Sequence, residues 1–279
     1  LGPSHPSVAT AYNNMGMVHS AMGDYSKALT YYEQTLDLQL KTVGPSHPSV
    51  ATTYNNMGRI CNAMADYSKA LTYYEQALEL DMKTLGPNHP DVATTYNNIG
   101  RVYNALGDYS KALSYYEQTL ELKLKTVGSN HPDVATTYNN MGKVYNDMGD
   151  YSKALTYFEQ TLELKLKTLG PSHPAVATTY NNIGALYRDM GDYSKALTYY
   201  EQTMELDMKT LGPNHPDVAT TYNNIGDIYN AMGDYSKALT YYEQTLELQL
   251  KTLGPSHPDV ATTYNNMGKV YNDMGDYSK

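Results

Sequence analysis

The 279-residue chain has no tryptophan, one phenylalanine and one cysteine. A single thiol, Cys61, excludes an internal disulfide and suits a reducing compartment, so the expected location is the cytoplasm. No apolar run approaches the ~20 residues needed to span a bilayer, and no signal-peptide pattern opens the chain; no membrane association is expected. Cationic charge is also scarce. Against 29 Asp and Glu there are 20 Lys and Arg, a net charge of −9, which argues against general nucleic-acid binding, since that depends on neutralising phosphates. Nothing assembles a nucleophile, a base and an oxyanion site. The Gly-x-x-x-x-Gly spacings have no strand before them and no Gly-Lys-Ser/Thr after. No enzyme activity and no cofactor are expected. What is abundant is tyrosine, 30 in all. The core must therefore be built from rings that each bury roughly 150–250 Å² while their hydroxyls seek a partner.

His-Pro occurs seven times, at His5, His47, His89, His131, His173, His215 and His257, always 42 residues apart. A fixed period of this size means stacked supersecondary units, each relying on its neighbours to bury its apolar face. The chain reads as one array over 1–279. Its full repeats are 1–42, 43–84, 85–126, 127–168, 169–210 and 211–252, with a partial seventh at 253–279. It opens at Leu1 and stops at Lys279, just inside an expected helix. The reading is a piece of a longer array, with the last first-helix serving as a makeshift cap and ends that would let arrays stack end to end.

Within the third repeat, His89-Pro90-Asp91 makes a helix start, with proline at the first helical position and an early acid at the positive helix end. Val92, Ala93, Tyr96, Ile99, Gly100, Tyr103 and Leu106 follow at spacings of three and four, one face of a first helix, A. Gly107 ends it in the left-handed manner, and Asp108 is a good N-cap for a second helix, B. Helix B places Tyr109, Ala112, Leu113, Tyr116 and Leu120 inward and runs to Thr126. In the first repeat this phase predicts helix A near 6–21 and helix B near 25–42. No strand pattern appears, so the fold class is all-α. Gly100 and Ala112 are expected to be small because the two backbones of the hairpin come close there, and Gly16, Gly58, Gly142, Gly184, Gly226 and Gly268 share that role.

Tyr96-x-x-Ile99-Gly100-x-x-Tyr103, Gly107-Asp108-Tyr109, Ala112 and Tyr116 resemble the tetratricopeptide repeat signature. The usual repeat has about 34 residues and closes helix B with proline. Here Leu124 stands in that place and helix B continues. With the LGPxHPxVATTYNN junction, this resembles the longer subclass of kinesin light chains. The resemblance implies a right-handed superhelical solenoid of antiparallel helix pairs, with helices A lining a concave groove that binds peptide segments of partner proteins.

Comparison of the repeats within the chain places the variation on helix A, at the residue after the mid-helix glycine and at three and four further on. The first column reads Met17, Arg59, Arg101, Lys143, Ala185, Asp227 and Lys269; the second Ser20, Asn62, Asn104, Asn146, Arg188, Asn230 and Asn272; the third Ala21, Ala63, Ala105, Asp147, Asp189, Ala231 and Asp273. These offsets share one polar helix face. An Asn pair never changes, from Asn13-Asn14 to Asn265-Asn266. The first of each pair, Asn13, Asn55, Asn97, Asn139, Asn181, Asn223 or Asn265, lies four residues before the cationic column. An amide offers a donor and an acceptor, the pair that can hold an extended peptide backbone; the resemblance implies this use. The alternative is that recent copying keeps every column alike. Lys143 and Lys269 can pair with Asp147 and Asp273 in their own helices, whereas Arg59 and Arg101 face alanines. An Arg59–Arg101–Lys143 strip on an acidic protein would draw carboxylates of a partner.

The evenly spaced histidines are a full repeat apart, too far to converge on a metal, and read as helix-start residues. His19 and Cys61 replace a core tyrosine, Cys61 as a small buried thiol. Two functions from different classes follow. One is a protein-interaction scaffold binding extended acidic peptides in its groove. The alternative is a structural repeat array, or a consensus-like engineered scaffold, without a dedicated ligand.

Overall fold

The computed structural model describes residues 5–275, over which thirteen α-helices follow one another without a strand. Helices A are α1 (Pro6–Ala21), α3 (Pro48–Ala63), α5 (Pro90–Ala105), α7 (Pro132–Asp147), α9 (Pro174–Asp189), α11 (Pro216–Ala231) and α13 (Pro258–Asp273). Helices B are α2 (Tyr25–Thr42), α4 (Tyr67–Thr84), α6 (Tyr109–Thr126), α8 (Tyr151–Leu169), α10 (Tyr193–Thr210) and α12 (Tyr235–Thr252). The bounds expected for the first repeat are the ones observed. The start of a further helix B after Gly275 lies outside the described residues. The chain divides into two compact units, Leu1–Val144 and Tyr145–Lys279. In each, helices pack pairwise as hairpins, and each hairpin packs on the next through the adjoining helices B and A, as α4 does on α5 and α10 on α11.

Local chemistry starts each helix. The His89 Nδ1 accepts from the Asp91 backbone N–H at 3.2 Å, so the histidine is an N-cap with Pro90 at the first helical position. Asp108 caps α6 by accepting from the Lys111 N–H at 3.2 Å. The Lys111 ammonium closes back on the same carboxylate at 3.0 Å and lies over the Tyr103 ring, 5.0 Å from its centroid. That hydrogen bond from Lys111 holds the Asp108 carboxyl below the usual aspartate range. Gly107 takes φ 76° between the two helices. In the second repeat Ala65 stands there with φ 58°, the one non-glycine in the left-handed region among the described residues.

The core repeats with the period. Ala70 and Tyr74 of α4 bury against Ile99 and Val102 of α5; Ala196 and Tyr200 of α10 bury against Ile225 and Ile228 of α11. Cys61 is buried in the first of these layers, as expected of a packing thiol. The mid-helix glycines are small for a different reason from backbone proximity. A Cβ on Gly100 would lie 2.9 Å from the ring of Tyr116, and one on Gly184 2.9 Å from the ring of Tyr200. The tyrosine ring of helix B lies on the glycine of helix A, so the ring rather than the opposing backbone excludes a side chain. Gly268 in α13 meets nothing within 4 Å.

Candidate functional site

The asparagines form a ladder between repeats. The second Asn of one repeat donates to the first Asn of the repeat before it: Asn56 Nδ2 to Asn13 Oδ1 at 3.2 Å, Asn140 to Asn97 at 2.9 Å, Asn224 to Asn181 at 2.9 Å and Asn266 to Asn223 at 3.1 Å. The unchanging pair thus has a role within the fold, because a half-buried amide needs a partner. Asn55 departs from the pattern. Its Nδ2 donates to Thr95 Oγ1 at 2.8 Å, and its Oδ1 is buried without a partner. Asn223 also donates to Asp227 at 3.3 Å. Asn265 on α13 is exposed, and Asn139 is engaged within the chain.

Arg59 and Arg101 are exposed on α3 and α5 and form no ion pair among the described residues. Their charges act on the buried helix-B tyrosines beneath. Burial raises the hydroxyls of Tyr32 and Tyr74, the latter to about 12, while Arg59 pulls on both and Arg101 on Tyr74. Lys143 is exposed on α7 and interacts within the chain, as does Asn104. Arg188 is committed elsewhere: its Nε and a terminal nitrogen donate to Asp189 at 3.1 and 3.0 Å. Asn146 donates to the same carboxylate at 2.9 Å. The Oδ1 atoms of Asn62, Asn146 and Asn230 are buried without partners. In the sixth repeat Tyr242 donates its hydroxyl to Asp227 at 2.6 Å. Burial raises the Asp227 carboxyl.

A further column, on helix B, was not singled out from the sequence: Gln39, Asp81, Lys123, Lys165, Asp207 and Gln249. Each stands fourteen residues before a buried threonine of the next helix A. Gln39 accepts from the hydroxyl of Thr53 at 2.8 Å, and Gln249 from that of Thr263 at 2.7 Å. Lys123 donates to the Asp133 carbonyl and Thr137 hydroxyl at 3.0 and 3.2 Å; burial lowers its pKa. Lys165 makes the same two bonds, to the Ala175 carbonyl and Thr179 hydroxyl, both at 2.9 Å. Among the described residues the carboxylates of Asp81 and Asp207 have no hydrogen-bond partner, and burial, with help from Asp91 and Asp217 respectively, raises each to about 6. Pockets open where three of these residues sit, about 310 Å³ at Gln39, 330 Å³ at Asp81 and 170 Å³ at Asp207. The pocket at Asp81 brings Asn55, Arg59, Asp91 and Asn98 together. The signal was present in the sequence as charge reversal between closely similar helices B.

No group of three or more His, Cys, Asp or Glu suited to a metal ion occurs among the described residues, and no described helix is long and apolar enough to cross a membrane. The family model described as Tetratricopeptide repeat matches residues 7–83, 49–125, 120–167, 133–209, 175–251 and 217–279. No curated protein sequence matches the chain. Among solved structures it is similar to BtubC (BKLC) of P. vanneervenii, with TM-score 0.64 and 22% identity over 85% of this chain and 92% of that one. It is also similar to a putative kinesin light chain of Podospora anserina with nearly identical repeats, at TM-score 0.61 and 25% identity over 74% and 98%. A chain of the APC/C hetero-tetramer Cut9-Hcn1 aligns at TM-score 0.63 and 18% identity over 94% of this chain and 42% of that one.

Proposed function

Because the chain belongs to the tetratricopeptide repeat family, whose members are generally non-enzymatic protein-interaction scaffolds, we propose that it binds an extended, acidic peptide segment along the helix-A face of its first unit. The observation that carries this reading is the state of Arg59 and Arg101. Both are exposed, neither is spent in an ion pair, and Arg59 lines a pocket with Asn55 and Asn98. Lys143 is the third cation of the strip, and Asn55, Asn97 and Asn139 run beside it. In this reading the guanidiniums take carboxylates of the peptide, and amide groups not used by the ladder take its backbone. Exposed charges of this kind give weak, salt-sensitive contacts.

The test is titration of a labelled acidic peptide against the parent and the Arg59→Ala/Arg101→Ala variant at low and moderate salt. The expected result is affinity that falls with salt and falls several-fold in the variant. Equal affinity in both proteins would leave the array without this ligand and favour a structural role.

A further inference from the structure

Asp81 and Asp207 are 2% and 5% exposed, yet each lines a pocket and its carboxylate has no hydrogen-bond partner among the described residues. A buried carboxylate left unpaired is costly, and most such groups in folded proteins have found a donor. The walls also hold hydroxyls and amides, with Arg59 at the first pocket and His89 and His215 nearby, yet among the described residues none of these groups hydrogen-bonds the buried carboxylate. Asp91 and Asp217 each stand in the same pocket as their buried partner, and at the second pocket Thr178, Asn181 and Thr220 complete the wall.

The chain itself shows what fits in this place. Two equivalent positions, Lys123 and Lys165, fill the site with an ammonium from within. The ammonium bonds a threonine hydroxyl and the carbonyl four residues before it. That same threonine hydroxyl also donates to the same carbonyl, at 3.2 Å for Thr137 and 3.1 Å for Thr179. The identical cradle is present at the aspartate positions, where Thr95 donates to the Asp91 carbonyl and Thr221 to the Asp217 carbonyl, each at 3.1 Å. At those two positions the cradle stays, the ammonium is gone, and a carboxylate pair stands in its stead. At the first, the partnerless Asn55 Oδ1 adds one more acceptor.

We propose that the Asp81/Asp91 and Asp207/Asp217 pockets are receptor sites for a lysine side chain presented by a protein partner. An incoming ammonium has three donors and would meet two carboxylates, a threonine hydroxyl and a backbone carbonyl, a charge-assisted set. The inference does not rest on the acidic-peptide reading. Arg59 lines the first pocket and opposes a cation there, whereas Ala185 occupies the equivalent position in the repeat that holds Asp207. The second pocket is therefore the clean test, and it shares no residue with the Arg59–Arg101 strip.

The experiment follows amide NMR shifts of Asn181 and Thr221 in the full chain during titration with acetyl-Ala-Lys-Ala-amide, acetyl-Ala-Glu-Ala-amide and magnesium chloride. The expected result is a saturable response to the lysine peptide alone, weakened at least tenfold in Asp207→Asn/Asp217→Asn and unchanged in Arg59→Ala/Arg101→Ala. The response should also fade below about pH 6, as Asp207 takes up a proton beside Asp217 and His215. A thermal melt of the asparagine variant no lower than the parent's excludes unfolding as the cause of its lost response. No saturable shift, an equal shift in the asparagine variant, or a response to magnesium without one to lysine would overturn the proposal.

Discussion

The positions of Lys165 and Asp207 are one repeat apart and share the same backbone, the same threonine and the same carbonyl, yet carry opposite charges. At Lys165 the ammonium spends itself on the Ala175 carbonyl and Thr179. At Asp207 the carboxylate meets no donor, and desolvation raises it to about 6. The helices do not register the exchange: α8 and α10 begin at equivalent tyrosines, and both bury their neighbouring leucine, Leu164 or Leu206. Packing of ring on glycine therefore specifies the repeat, while the junction residue is free to vary in sign. The fold tolerates an unfavourable charge there because the rest of the layer supplies the stability.

The largest effect is expected from removing what both positions share. Gly184→Val drives a side chain into the Tyr200 ring, already 2.9 Å from where a Cβ would stand. It should cost about 3 kcal/mol by overpacking, read as a lower denaturant midpoint. Next comes pH. The folded-state values of Asp81 and Asp207, about 6, lie above the ordinary 3.8, so the folded chain binds more protons between those limits and stability rises as pH falls from 7 towards 5. Over that range the gain should be roughly 1.3 kcal/mol per group. Asp81→Asn/Asp207→Asn should flatten the profile. Below that window the sign reverses, because the capping carboxylates such as Asp192 are held below the ordinary value by Lys195 and lose their contribution on protonation. Thermal melts from about pH 2 to pH 8 check both halves.

Lys165→Met acts on the satisfied position. It takes an ammonium from two acceptors, and the loss should be about 1–2 kcal/mol by urea denaturation. A loss as large from Asp207→Met would mean that the aspartate is as well satisfied as the lysine, contrary to its lack of partners. The smallest effect concerns the second repeat alone. Ala65→Gly relieves a left-handed alanine, φ 58°, and should gain about 1 kcal/mol, measured as a higher midpoint.

Helix bounds, caps and the buried Cys61 were legible because each depends on residues within a few positions of one another. His89 and Asp108 cap as their local pattern predicts. The glycine positions were legible, but their reason was not, since nothing in spacing alone says that the Tyr116 ring lies on Gly100 rather than beside it. The candidate site was read only in part. Arg59 and Arg101 stand exposed as expected, whereas Arg188 turns to its neighbour Asp189. The helix-B column escaped notice because a helical wheel places Asp81 among solvated polar residues. Its burial comes from the first turn of the following helix, a relation that exists only once two repeats are stacked.

The amide ladder has a consequence for how such an array changes over generations. Each rung joins one repeat to the next through residues that every unit carries. A whole 42-residue unit lost or duplicated by unequal recombination would rejoin through the same Asn-to-Asn bond and the same threonine cradle. The order of Gln, Asp and Lys along helix B would be rewritten, together with the variable columns of helix A. The molecule can thus be edited as a string of interchangeable letters, and its pattern of charge would shift by whole characters while the grammar of its joints stayed intact.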